Sequence, residues 1–386
     1  MSQSRYPTVR IIEEGMREGM QIESAAITVP DKIRLLNALS HTGLKTIVVG
    51  SFVSPKWTPQ MANIDEVVAG FTPVEGVTYT ALALNERGRE RMRRFAPLLT
   101  ESREFPRTLV HLCDVFVQRN TNRTQLQEIE AWPQVVDAAV AAGNDTAGIA
   151  INAAWGSNWL GRFDEDYRMD MLARQVDLWA TAGVTVNRVW IGDPMAWNMP
   201  DQVASQLQAI QERWPQIETF HLHLHDARGT AMLSAYQALQ VLSVERTLVL
   251  DSSVGGMGGC PYGGHGRMTR MIPTEDLVDL LTELGIDTGV DLDSLIEASV
   301  LAEEVVGHEL WGTVSKAGPR PRGGRLFAMD MPFVETAEQA QHFRLGAAAY
   351  AGAPSPWAAP IVSPVRDAVD RGEDPGRAAH RMIDHR

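Results

Sequence analysis

Phe220-His221-Leu222-His223-Leu224-His225-Asp226 alternates apolar and imidazole side chains before ending on an acid. In an extended strand successive side chains point to opposite faces, so these histidines share one face and the apolar residues share the other. Neighbours on the shared face stand about 7 Å apart along the backbone, near enough for two imidazoles to meet one cation. His223 and His225, closest to the C-terminal end, form the better ligand pair. His221 lies deeper and reads as a hydrogen-bonding group of a second layer.

Outward from this stretch the same texture recurs. Val9–Glu14, Thr46–Val53, Val77–Leu84, Thr108–Phe116, Ala147–Ala154, Val186–Gly192 and Arg246–Val254 are short runs rich in β-branched and apolar residues. Amphipathic stretches suited to helices lie between them, among them Pro30–His41, Gln125–Ala142 and Asp164–Ala182. Strands alternating with helices imply parallel pairing through right-handed crossovers. Eight such units predict a (β/α)8 TIM barrel. An open doubly wound sheet would carry a glycine fingerprint after its first strand, and Glu14-Gly15-Met16-Arg17-Glu18-Gly19 does not supply it.

Pro273–Gly285 and Asp291–Val306 read as two further helices, and Gly318–Gly324 as a linker. The expected organisation is a barrel domain over residues 1–318 and a mainly helical C-terminal appendage over 319–386.

The 386 residues are 44% hydrophobic and 22% charged, as in ordinary globular enzymes. A net charge of −13 disfavours nonspecific binding to nucleic acid or anionic membranes. The two cysteines, Cys113 and Cys260, read as free thiols of a reducing compartment. Neither an apolar signal core at the N-terminus nor a membrane-length apolar run is visible, so the expected location is the cytoplasm.

Barrel enzymes gather their functional groups at the C-terminal ends of the strands. Those ends here carry Arg17-Glu18, Ser51 to Lys56, Asn85, Asp114, Asn152, Asp193 and the histidine row. Glu18, following the first strand, is the candidate third metal ligand. One carboxylate with two imidazoles suits Mg, Mn, Co or Zn without choosing among them. Arg17 beside it would stabilise an enolate oxygen. After the last strand, Gly255-Gly256-Met257-Gly258-Gly259-Cys260-Pro261-Tyr262-Gly263-Gly264-His265-Gly266 forms a glycine-rich loop. It reads either as a closing loop that carries Cys260 as proton donor or as a phosphate-binding turn.

Several of these segments occur together and in order: Arg17-Glu18-Gly19-Met20-Gln21, Ser51-Phe52-Val53-Ser54-Pro55-Lys56-Trp57, His223-Leu224-His225-Asp226, Asp251-Ser252-Ser253 and Gly258-Gly259-Cys260-Pro261-Tyr262. In this the chain resembles the 3-hydroxy-3-methylglutaryl-CoA lyase branch of the barrel metallolyases, from about residue 8 to about 318. The resemblance implies a (β/α)8 barrel and a retro-Claisen cleavage of an acyl-CoA. It implies a divalent metal, Mg or Mn first, held by Glu18, His223 and His225. It further implies an enolate stabilised by Arg17 and protonated by Cys260, and a small-molecule partner within a homo-oligomer. Substrate contacts are expected from Gln21, Ser51, Lys56, Asn85 and Asp193.

The chain also departs from the family pattern. It has Glu18 where the family has aspartate, and Val48 where the family carries a second-strand glutamate. Its fifth-strand loop, Asn152-Ala153-Ala154-Trp155-Gly156-Ser157, lacks the family's cysteine-containing turn. The family's asparagine ligand is missing downstream of Cys260, and His265 is the candidate replacement. These changes predict a related lyase with a different acyl group. The alternatives are a 2-oxo-acid aldolase or condensing enzyme on the same barrel, and a non-catalytic binding or assembly subunit.

Overall fold

The computed structural model describes residues 5–102, 105–264, 268–322 and 371–374. Eleven strands occur among them: β1 (Thr8–Glu13), β2 (Thr46–Ser51), β3 (Thr78–Leu82), β4 (Leu99–Glu101), β5 (Arg107–His111), β6 (Thr146–Asn152), β7 (Gly156–Ser157), β8 (Gly161–Arg162), β9 (Thr185–Asp193), β10 (Thr219–Leu224) and β11 (Thr247–Ser252). Nine of them pair in parallel in the order β4-β3-β2-β1-β11-β10-β9-β6-β5, and β7 and β8 make a small antiparallel hairpin. The first strand lies between the second and the last, with Glu13 opposite Ile47 and Thr8 opposite Thr247. That adjacency of first and last strands is what winding a barrel requires.

The sheet is thus the expected (β/α)8 barrel with one addition. Leu99–Glu101 pairs with β3, a strand that the periodicity did not announce because three residues show no alternation to read. The fourth expected strand is also shorter than its apolar run. Cys113 caps a helix, Asp114–Thr121, so Val115 and Phe116 are helical and pack the core from there.

Strand residues alternate as the fold demands. Val189 and Ile191 of β9 are 1% and 0% exposed on the face turned to the helices, while Arg188 and Trp190 turn inward. Local signals set the helix starts: Thr28 accepts from the Asp31 amide, Asp164 from Tyr167, and Thr124 forms a capping box with Gln127. The expected helix Gln125–Ala142 is two, Gln125–Glu130 and Trp132–Ala141, because Pro133 can begin a helix but not continue one. Pro273–Gly285 and Asp291–Val306 form helices at Thr274–Glu283 and Leu292–Val306.

The chain falls into two compact units, Met1–Pro319 and Arg320–Arg386. The appendage expected over 319–386 lies almost wholly outside the described residues, as does His265. No helix among the described residues is long and apolar enough to cross a membrane.

Candidate metal centre and active site

At the C-terminal end of β10, the inward alternation brings His223 and His225 together, with their Nε2 atoms 3.3 Å apart. Both are buried, at 8% and 1% exposure. Glu18 arrives from β1. Immediately after that strand the backbone tightens into a π-helical turn, Gly15–Gly19, which presents Arg17 and Glu18 side by side. One Glu18 carboxylate oxygen lies 3.7 Å from His225 Nε2, and the other is ion-paired with the Arg17 guanidinium. The donor atoms of Glu18, His223 and His225 all lie within 4.8 Å of one another.

The layer beneath fixes these ligands. Asp251, inward on β11, bridges two histidines: Oδ2 is 2.7 Å from His223 Nδ1, and Oδ1 is 2.6 Å from His221 Nε2. With Nδ1 engaged, the Nε2 of His223 faces Glu18 and His225. A carboxylate on the rear nitrogen of an imidazole is the arrangement that orients a metal-binding histidine. The donor set therefore fits a divalent cation on this chain's own geometry.

The charges interlock. Burial opposes ionisation of Asp251, but His221 and then His223 hold its carboxyl well below the usual carboxylate range. Burial alone would depress His223, yet the Asp251 hydrogen bond and charge outweigh it and raise the imidazole above its ordinary value. Burial likewise works against Glu18, and Arg17 with the two histidines turns the balance, keeping it ionised. Arg17 also donates from Nε to Glu14 at 2.6 Å, so two carboxylates grip one guanidinium. Burial dominates at Glu14 and lifts its carboxyl against the pull of Arg17.

The glycine loop packs directly on this turn. A Cβ at Gly258, where φ is +103°, would sit 2.9 Å from the Glu18 carbonyl, so only glycine lets the loop backbone lie there. Cys260 follows and packs against a cluster of Cys113, Phe116, Ala153 and Met195. Burial pushes its thiol up to about 12, with the Glu18 charge adding to the rise. Both cysteines are free.

A brace underlies the loop. Buried Glu13, on the outward face of β1, accepts from the amides of Gly15 at 2.8 Å and Val254 at 2.9 Å, and meets Thr274 Oγ1 at 2.5 Å. Thr274 also contacts Ser252 Oγ at 2.8 Å. Thr274 donates to Glu13, and the Ser252 hydroxyl can donate to Thr274 in turn, so the three groups form one chain. Burial lifts Glu13 to about 7, and does the same to its neighbour Glu275, which accepts from Gly255.

The other expected site residues scatter. Asp193 is fully buried at the end of β9, held by Asn198 at 2.6 and 2.7 Å, with burial raising its carboxyl. Ser51 is buried at the end of β2. Asn85 is exposed and caps a helix through the Gly88 amide. Lys56 is exposed over the Trp57 ring, and Gln21 is half-buried in the turn after Gly19. Sequence reasoning gave no role to Glu14, Asp251 or Trp190. Strand alternation could have found the last two, since both face inward beside the histidine row.

A profile of the HMGL-like family matches residues 8–302. The chain belongs to the HMGL-like family. It is thus a carbon–carbon lyase. The 3-hydroxy-3-isohexenylglutaryl-CoA/hydroxymethylglutaryl-CoA lyase of Pseudomonas aeruginosa is 34% identical over 309 residues, spanning 80% of this chain and 96% of that protein. Hydroxymethylglutaryl-CoA lyase YngG of Bacillus subtilis is 33% identical over 79% of this chain and 96% of its own length. Among solved structures, an HMG-CoA lyase from Acinetobacter baumannii in complex with coenzyme A and 3-methylmalate superposes with a TM-score of 0.66. It is 25% identical and is matched over 85% of this chain and 99% of its own.

Proposed function

We propose that this HMGL-like chain cleaves a 3-hydroxyacyl-CoA by a divalent-metal-dependent retro-Claisen reaction, with Mg or Mn as the metal. The observation that carries the reading is the convergence of Glu18, His223 and His225 within 4.8 Å, backed by Asp251 and roofed by the Cys260 loop. The names of the relatives and the coenzyme A complex of the Acinetobacter lyase support a thioester substrate.

When bound, the metal supplies Lewis acidity toward the substrate's oxygens. The chain's own groups do the rest. As the C3 hydroxyl loses its proton to a base, C3 becomes a carbonyl carbon and the C2–C3 bond breaks. The electron pair passes to C2 and is delocalised onto the thioester oxygen. Arg17, immobilised between Glu14 and Glu18, sets a fixed positive charge against that oxygen without reorganising. Cys260 then delivers its S–H proton to C2, and the thiolate regains a proton from solvent. A thiol lifted to about 12 stays protonated until an enolate, a far stronger base, is formed beside it.

The acyl group differs from methylglutaryl in this reading, because Val48 stands where the family has a glutamate. The test is acetyl-CoA release from a panel of 3-hydroxyacyl-CoAs, before and after metal removal. Metal-dependent release from at least one member is expected. Turnover of 2-oxo-acid adducts with no acetyl-CoA from any thioester would overturn the proposal.

A further inference from the structure

Trp190 lies on the inward face of β9, beneath the metal centre. Its indole stacks on His223 with centroids 5.6 Å apart and planes at 28°, and meets His221 edge-on at 6.3 Å. The ring runs up the strand toward the C-terminal end: a Cβ at Gly192 would meet Cη2 at 2.3 Å and the Asn152 amide oxygen at 2.5 Å. The indole therefore occupies the space that a side chain at position 192 would fill, level with His223. From below, Arg107 stacks on it at 5.1 Å.

A tryptophan packed against the helices would share the outward face of β9 with Val189 and Ile191. Trp190 instead keeps part of its surface accessible, inside a barrel where its neighbours are Gly192, His221 and His223. Accessible aromatic surface beside a ligand histidine is a wall of whatever chamber opens there.

We propose that Trp190 is a specificity-determining residue, its indole setting the depth of the acyl chamber beneath His223 and His225 and confining the substrate to short C3 substituents. This rests on the reading of the chain as a 3-hydroxyacyl-CoA lyase. A thioester held at Glu18, His223 and His225 has its C3 substituent beside this ring. Small residues at neighbouring inward positions, Gly148, Ala150 and Gly192, leave the indole as the group that sets the depth.

The experiment compares kcat/KM for 3-hydroxyacyl-CoAs whose C3 substituent grows from methyl to isohexenyl, each with and without a distal carboxylate. The proteins are wild type, Trp190→Phe and Trp190→Ala, with metal content measured in each. Wild type is expected to favour methyl. Trp190→Ala is expected to shift the isohexenyl-to-methyl ratio upward by at least about 10-fold, since each buried methylene is worth roughly four-fold. Trp190→Phe should fall between. A merely structural tryptophan would lower all substrates together and leave the ratio unmoved, and that result with metal retained overturns the inference alone. Wild-type preference for isohexenyl overturns it as well. Absence of cleavage by all three proteins on every thioester overturns the function and, with it, this inference. Trp190→Phe keeps the question open to measurement should Trp190→Ala fail to fold.

Discussion

Replacing Asp251 by asparagine should weaken metal binding while leaving all three ligands in place. The carboxylate is 3% exposed and serves His223 at 2.7 Å and His221 at 2.6 Å. Asparagine is nearly isosteric but offers one acceptor oxygen. Its amide nitrogen must donate, so one of the two histidines loses its partner or is forced into the other tautomer. A hydrogen bond to a charged group is worth about 1.5–3 kcal/mol. If His223 is the loser, that translates to roughly 10- to 100-fold in metal affinity, the range found for groups that orient metal-binding histidines. Calorimetric titration of the metal-stripped protein with Mn2+ gives the number directly, and the melting temperature of the stripped protein reports whether the fold is intact. Unchanged affinity in a normally folded Asp251→Asn protein would refute the assignment of His223 as a ligand oriented by this carboxylate.

Further expectations follow from the same geometry. Glu13 has a folded-state value of about 7 against an ordinary 4.5, so its contribution to stability is complete below about 4.5 and is lost as pH rises through about 7. Melting temperature should therefore fall between pH 5 and pH 8, and Glu13→Gln should flatten that slope, with a ceiling of about 3 kcal/mol from the size of the shift. An unchanged slope in the variant would remove Glu13 as its source. Cys260→Ser should cut kcat by about 10²-fold or more, as loss of a positioned proton donor does, with metal content unchanged; full activity would exclude the thiol. Gly259→Ala puts a Cβ 1.7 Å from Thr269 Oγ1 at a φ of +125°, so the loop must rebuild. Loss of turnover with little loss of metal is expected, and wild-type kinetics would show that loop geometry is immaterial.

The barrel was legible because its strands are long enough for alternation to show: Thr219–Leu224 and Thr185–Asp193 fall where their apolar runs lie. Three-residue strands such as Leu99–Glu101, and the Gly156–Ser157 hairpin, carry no such period. The histidine pair was legible because its period coincides with the strand's. Glu18 was readable only through its place after the first strand. Its approach to His225 depends on a π-helical turn that no residue pattern announces. Alternation places Asp251 on the inward face, but a single aspartate in an apolar run does not announce that it meets two histidines there. The Glu13 brace was hidden for a different reason, since its partners lie at the far end of the chain.

The hydrogen bond from Val254 to Glu13 joins residues 241 positions apart. Contacts of such separation form late, after the loop between them has been closed. A chain emerging from the ribosome could thus complete most of the sheet with Glu18 still lacking both imidazoles and the roofing loop. With Glu18, His223 and His225 as the proposed ligands, full cation affinity would require β11 to dock on β1, and so would measure barrel closure itself. Metal uptake by a refolding chain would report the final step of its assembly.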